Sequence, residues 1–222
     1  MENDIKKGYS FLLFIILSLG VVAIPDLFKW NYWVKSLIKG TMLLLLPLAL
    51  IFYNKEKMDF FKVKKQILIW IVVLALIIIV GIIGGYFLLR NVIDFSGITK
   101  ELEKIGVSAN NFIYVALYIA VINAFIEEFF FRGFIVKYLK QSFSVKTSVI
   151  ISATLFALYH LLIVDGLASP LIIGAALVGL FIVGLGFNFL AEKFKTLFIT
   201  YIPHMAANLA INFVALFILG IL

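Results

Sequence analysis

Seven times along this 222-residue chain an apolar run approaches the ~20 residues that a helix needs to cross about 30 Å of hydrocarbon. No water-soluble fold has room to bury so many. The runs fall at about 9–24, 34–53, 67–89, 111–131 with a helical continuation to 139, 145–164, 170–190 and 196–222, the last interrupted near Pro203. Because backbone polar groups in lipid must be satisfied within the segment, the expected fold is all-α: a polytopic transmembrane helix bundle of about seven (six to eight) spans. Composition agrees, with 64% hydrophobic and 14% charged residues against about 25% charged in soluble domains. Soluble enzymes, nucleic-acid modules and disordered tails are thereby excluded. The absence of cysteine removes disulfides, thiolate metal sites and thiol nucleophiles. The first run follows Lys6 and Lys7 like a secretory signal, but it lacks a small-x-small cleavage site and more membrane follows, so it reads as a retained anchor. No period of 20–50 residues repeats. One integral membrane domain is expected, with residues 1–110 supplying three spans without motifs and 111–222 the core spans that carry them.

The net charge of +7 is mostly a topology signal. With the N-terminus inside, Lys6, Lys7, Lys55, Lys57, Lys62, Lys64, Lys65, Arg132, Lys137, Lys140, Lys146, Lys193 and Lys195 are cytoplasmic, which is 13 of the 19 basic residues. Lys29, Lys35, Lys39, Arg90, Lys100 and Lys104 remain outside. This arrangement fits a multi-pass protein of the plasma membrane with the lipid bilayer, not nucleic acid, as its partner. The cluster 55–65, with Met58, Phe60 and Phe61 interleaved, has the composition of a segment resting on anionic headgroups. Gly81 and Gly85, and Gly174, Gly179, Gly184 and Gly186, are placed for close helix packing.

Charges within hydrocarbon cost about 2.5–3.5 kcal/mol each on insertion scales and mark function by default. In the fourth span Glu127 and Glu128 enter an aromatic surround. Glu128 and Arg132, four residues apart, can pair along one helix face; the alternative is a merely interfacial clasp at the helix end. Glu127 points about 100° away and lacks that partner, so one carboxylate is held by a cation and the other is free to work. Ser148, Ser152, Phe156 and His160 form a stripe at four-residue spacing on the fifth span, and His204, Asn208 and Asn212 form another after Pro203. A lone membrane histidine is often only helix–helix glue, yet both histidines of the chain fall on these stripes. Glu127 and His160 also lie equally far from the turn at 141–144, about 25 Å along each helix, and should meet at one depth. His204 joins them only if the first hairpin projects further into the cytoplasm.

A carboxylate and an imidazole in reach of one water can deprotonate it. A second histidine with an asparagine can then donate to a developing oxyanion, where each donor is worth about 2.7–4 kcal/mol. That chemistry is hydrolysis of an acyl bond, most simply a peptide. There is no His-Glu-x-x-His, no Gly-x-Ser-x-Gly, and no intramembrane aspartate pair, since Asp94 and Asp165 lie in loops. Zinc held by His160, His204 and Glu127 would be a known ligand set, but local ligand spacing is missing and a metal-free, cofactor-free reaction is expected ahead of it.

Glu127-Glu128-x-x-x-Arg132, with Phe131 before and Gly133 after the arginine, Phe156-x-x-x-His160, and His204-x-x-x-Asn208 resemble the three motifs of the CAAX-protease and bacteriocin-processing (CPBP) family, relatives of the type II CAAX prenyl endopeptidases. The resemblance covers about 111–215. It implies an intramembrane, metal-independent glutamate protease in which Glu127 and His160 activate water, His204 and Asn208 form the oxyanion site, and Glu128 with Arg132 supports the helix. Its substrate would be a peptide or protein in or at the membrane, prenylated or of the bacteriocin or signal type. Two rival classes are a non-catalytic immunity or scaffold protein of the same family and a transporter using Glu127 and His160 as a proton relay.

Overall fold

A computed structural model describes residues 2–63, 65–92, 107–108, 110–161 and 170–220. Lys64, Asp94, Lys100, Lys104 and Asp165 lie outside these residues. Among the described residues there are helices and no strands. The helices are α1 (Glu2–Leu27), α2 (Tyr32–Tyr53), α3 (Leu68–Leu89), α4 (Phe112–Leu139), α5 (Val145–Tyr159), α6 (Pro170–Phe194) and α7 (Phe198–Ile218). Six are long and apolar enough to cross a membrane, α3 once its lead-in from Lys65 is included. The chain is therefore a multi-pass membrane protein.

The fifth helix, Val145–Tyr159, is capped by His160, and its 15 residues cover about 22 Å; 162–164 of the expected 145–164 span lie outside the described residues. The last span is not broken: α7 runs through Pro203, whose missing N–H removes a single ladder bond near the start of the helix.

The fourth helix occupies the middle. It packs against α1, α2, α5, α6 and α7, while α3 lies chiefly on α7. Its aromatic run explains this position, for Phe129, Phe130, Phe131 and Phe134 are fully buried and gather Ile15 and Val22 of α1, Leu43 of α2 and Phe156 of α5 around them. The α4–α5 turn is closed by Ser144, whose Oγ accepts from the Thr147 N–H at 3.1 Å.

The structure adds to one packing expectation and corrects another. Met58, Phe60 and Phe61, expected from composition beside headgroups, are partly buried and pack against the core. Phe60 lies against Phe129, Phe61 stacks on Phe125, and the Phe60 carbonyl accepts from the Leu197 N–H at 2.8 Å. Burying those rings outweighs solvating the lysines around them, which stay at the surface by their long stems. Of the singled-out glycines only Gly184 meets a neighbour, with Ala153 Cα 3.3 Å from where its Cβ would stand; Gly81, Gly85, Gly174, Gly179 and Gly186 face open space. The closest glycine contact is instead at Gly8 of α1, which lies against Ser142 and Phe143 of the α4–α5 turn.

Candidate active site

The backbone of α4 is irregular where the motif sits. Residues Tyr118–Asn123 and Phe129–Ile135 are π-helical, with one α turn, Ala124–Glu128, between them. Widened turns disturb the regular carbonyl ladder, and in lipid each carbonyl needs a donor. Neighbouring side chains provide them. Tyr201 donates to the Val121 carbonyl at 3.2 Å, Asn208 to Ile119 at 3.0 Å and Ser152 to Phe131 at 2.8 Å. Asn212 adds a bond to Ala116 at 3.1 Å. The stripes on α5 and α7 thus lock those helices onto α4.

This locking brings most of the expected residues together. Glu128 pairs with Arg132 at 3.2 Å, as the four-residue spacing predicts. The guanidinium lies over Phe156 at 4.2 Å and Phe187 at 5.5 Å, so its faces are covered by rings that suit a buried cation. Phe156 also touches His160, with ring centroids 4.5 Å apart, and His204 at 6.3 Å. Glu128 has a second partner beyond the expected clasp: His204 Nδ1 lies 2.8 Å from its Oε1. A carboxylate accepts, so that nitrogen carries hydrogen. His160 Nδ1 is likewise 2.7 Å from the Phe156 carbonyl, which fixes its hydrogen on the same side.

Both imidazoles therefore turn Nε2 toward Glu127. His160 Nε2 and His204 Nε2 are each 3.8 Å from Glu127 Oε2, an oxygen that is buried and accepts no hydrogen bond among the described residues. The equal depth expected for Glu127 and His160 is present, and His204 shares it.

Glu127 is not free, however. Its Oε1 accepts from Asn123 Nδ2 at 2.9 Å and Tyr159 Oη at 3.3 Å, and Lys39 Nζ lies 3.4 Å away. The expectation of an unpartnered carboxylate fails because a fourth helix, α2, brings a cation to it. Lys39, counted above with the outer side, lies within the span Tyr32–Tyr53. A signal was present, because a lysine among apolar residues falls under the rule applied to the glutamates. Asn123, four residues before Glu127, was open to the same stripe argument.

Asn208 donates to the Ile119 carbonyl, which makes it a tie between α7 and α4. The Oε2–Nε2 distances of 3.8 Å exceed the about 3.3 Å between two ligands of a tetrahedral zinc with 2.0 Å bonds. Among the described residues no group of three or more His, Cys, Asp or Glu side chains is arranged to hold a metal ion. Beside the cluster, a largely apolar cavity of about 210 Å³ between α1 and α5 is lined by Ile16, Leu19, Leu155, Leu158 and Tyr159, with Asp26 at its edge. Tyr159 thus belongs both to the cavity wall and to the shell of Glu127.

No curated protein and no solved structure matches the chain. Residues 109–210 match the family described as type II CAAX prenyl endopeptidase, Rce1-like. That stretch holds Glu127, Glu128, Arg132, His160, His204 and Asn208, in accord with the CPBP resemblance. Over residues 109–210 the chain is similar, on this match and these motifs, to the Rce1-like type II CAAX prenyl endopeptidase family.

Proposed function

We propose that the protein is an intramembrane endopeptidase that hydrolyses a peptide bond of a membrane-anchored substrate, prenylated or of the bacteriocin or signal type, with a water activated by Glu127 and His160. The observation that carries this reading is the convergence of Glu127 Oε2, His160 Nε2 and His204 Nε2 at 3.8 Å. With hydrogen on each Nδ1, a neutral imidazole presents only a lone pair at Nε2. Three acceptors facing one another suit a molecule with two O–H donors, and 3.8 Å leaves room for one water at hydrogen-bond distance from two of them.

In the reaction the water oxygen attacks the scissile carbonyl carbon while its proton passes to Glu127 Oε2. The carbonyl oxygen becomes an oxyanion. His204 donates there once its Nε2 has taken a proton from solvent, and the Glu128 carboxylate at Nδ1 balances the resulting imidazolium charge. Asn208 Nδ2 carries two hydrogens, and donation to Ile119 leaves one for the oxyanion. Collapse breaks the C–N bond, and the proton on Glu127 moves to the leaving amine. Arg132 holds Glu128, and Phe156 keeps Arg132 and His160 in register. The reading also carries a plasma-membrane location with a cytoplasmic N-terminus, supported by the lysine distribution.

The test compares membrane and secreted peptide termini of cells expressing the native chain with cells expressing Glu127→Gln or His160→Ala at matched protein levels. Defined products present only with the native chain support the protease and identify its substrate. Indistinguishable profiles would replace it with the non-catalytic immunity or scaffold reading.

A further inference from the structure

We infer that Lys39 is a positioning residue for Glu127, supplied by a helix outside the family-matched segment; the inference rests on the protease reading above. The two oxygens of Glu127 are unequal. Oε1 is held by Lys39, Asn123 and Tyr159, whereas Oε2 is left for the two histidines. Lys39 is in turn fixed on three sides. Its Nζ donates to Asn123 Oδ1 at 2.8 Å, faces Glu127 at 3.4 Å and lies 5.1 Å from the centre of the Tyr159 ring. Asn123 therefore joins ammonium to carboxylate through both ends of its amide.

The backbone supports this placement. One residue after Gly40 the α2 helix widens into a π stretch, Thr41–Leu45, which packs against the second π stretch of α4. Gly40 itself passes with its Cβ position 4.0 Å from Ile126 Cδ1, so α2 approaches α4 closely beside Glu127.

Charge accounting points the same way. Glu127, Glu128 and Arg132 alone leave an excess of one negative charge among buried groups. Intramembrane charges are tolerated when paired, and Lys39 completes the second pair. An ammonium on Oε1 also limits rotation of the carboxylate, so the lone pairs of Oε2 stay directed at the reacting water. Its side chain is 17% exposed against 1% for Glu127, which places it at the rim of the site and not in the path of attack.

Two measurements test this in the full-length protein purified in detergent. The first is hydrolysis of a farnesylated peptide ending in Cys-aliphatic-aliphatic-X. Lys39→Met should lower kcat about 10- to 100-fold with KM little changed, the scale on which a misplaced catalytic group acts, and Lys39→Arg should restore most of the rate. The second is a thermal-unfolding cycle with Glu127→Gln. Lys39→Met should lower Tm by about 2–4 °C in the native background and by much less where Glu127 is already neutral. Native kcat in Lys39→Met, or equal Tm losses in both backgrounds, would overturn the inference. A native protein that leaves the peptide intact would count against a prenylated substrate, while the unfolding cycle still decides the Lys39–Glu127 contact.

Discussion

Helices α3 and α4 are both membrane-spanning by length, and they solve opposite problems. The span ending in α3 has a mean hydropathy of 3.3 with 11% of its window buried, whereas α4 has 1.7 with 50% buried. The more apolar helix is the one left at the lipid-facing edge, and the one with charges is wrapped by its neighbours. In water the order would be reversed, but lipid is as apolar as leucine and gives no incentive to bury it. What drives α4 inward is the need to give Glu127, Glu128, Arg132 and the carbonyls of its π stretches partners away from hydrocarbon. Burial in this molecule follows polarity.

The sharpest way to break that contrast is to unbalance the buried charges. Arg132→Met removes the cation paired with Glu128 and should cost about 3–5 kcal/mol, read as a large drop in thermal stability in detergent. Adding Glu128→Gln should recover much of the loss. A matched truncation on α3, Leu76→Ala, removes a side chain that is 55% exposed and should stay within about 0.5 kcal/mol. If both helices responded alike, the contrast would fail.

Glycines offer a second comparison. A Cβ at Gly8 would lie 2.5 Å from Ser142 Cβ and 2.8 Å from Phe143 Cε2, so Gly8→Ala should destabilise by about 1–3 kcal/mol through overpacking. Gly81 of α3 meets nothing within 4 Å, and Gly81→Ala should be neutral or stabilising by up to about 1 kcal/mol, as helix propensity alone dictates. A smaller loss than at Gly8 is expected for Asn212→Leu, which removes one interhelical hydrogen bond to Ala116 and should cost about 0.6 kcal/mol, the usual worth of such bonds in bilayers. Chemical denaturation of purified variants would rank the three.

Much of the centre was legible from local spacing and charge. The Glu128–Arg132 pair follows from a four-residue interval, and the meeting of Glu127 with His160 follows from equal distances to one turn. Both arguments need only helix geometry. The parts that escaped depend on a further helix or on backbone detail. Lys39 was counted with the outer loop because the charge rule that orients spans treats lysines as loop residues, although this one lies inside a span. The π stretches leave no residue pattern to read, so the donor roles of Tyr201, Asn208 and Ser152 toward α4 carbonyls became visible only in three dimensions. The bond between Glu128 and His204 was hidden for another reason: one carboxylate oxygen serves both Arg132 and His204, and an explanation sufficient for the first partner gave no cause to seek a second. In the basic segment around Phe60 the lysines suggest headgroups, and the packing of its rings on Phe125 and Phe129 became visible only in three dimensions.

The central claim is that the buried cluster on α4, α5 and α7 exists to activate water and not merely to hold the helices together. Glu127→Gln separates the two, because the amide keeps the shape of the carboxylate and loses its basicity. Thermal unfolding and peptide-terminus mapping on the same variant should find a folded protein, with Tm within a few degrees of native, that yields none of the native cleavage products. A folded Glu127→Gln protein that still produced those termini at the native rate would contradict the account.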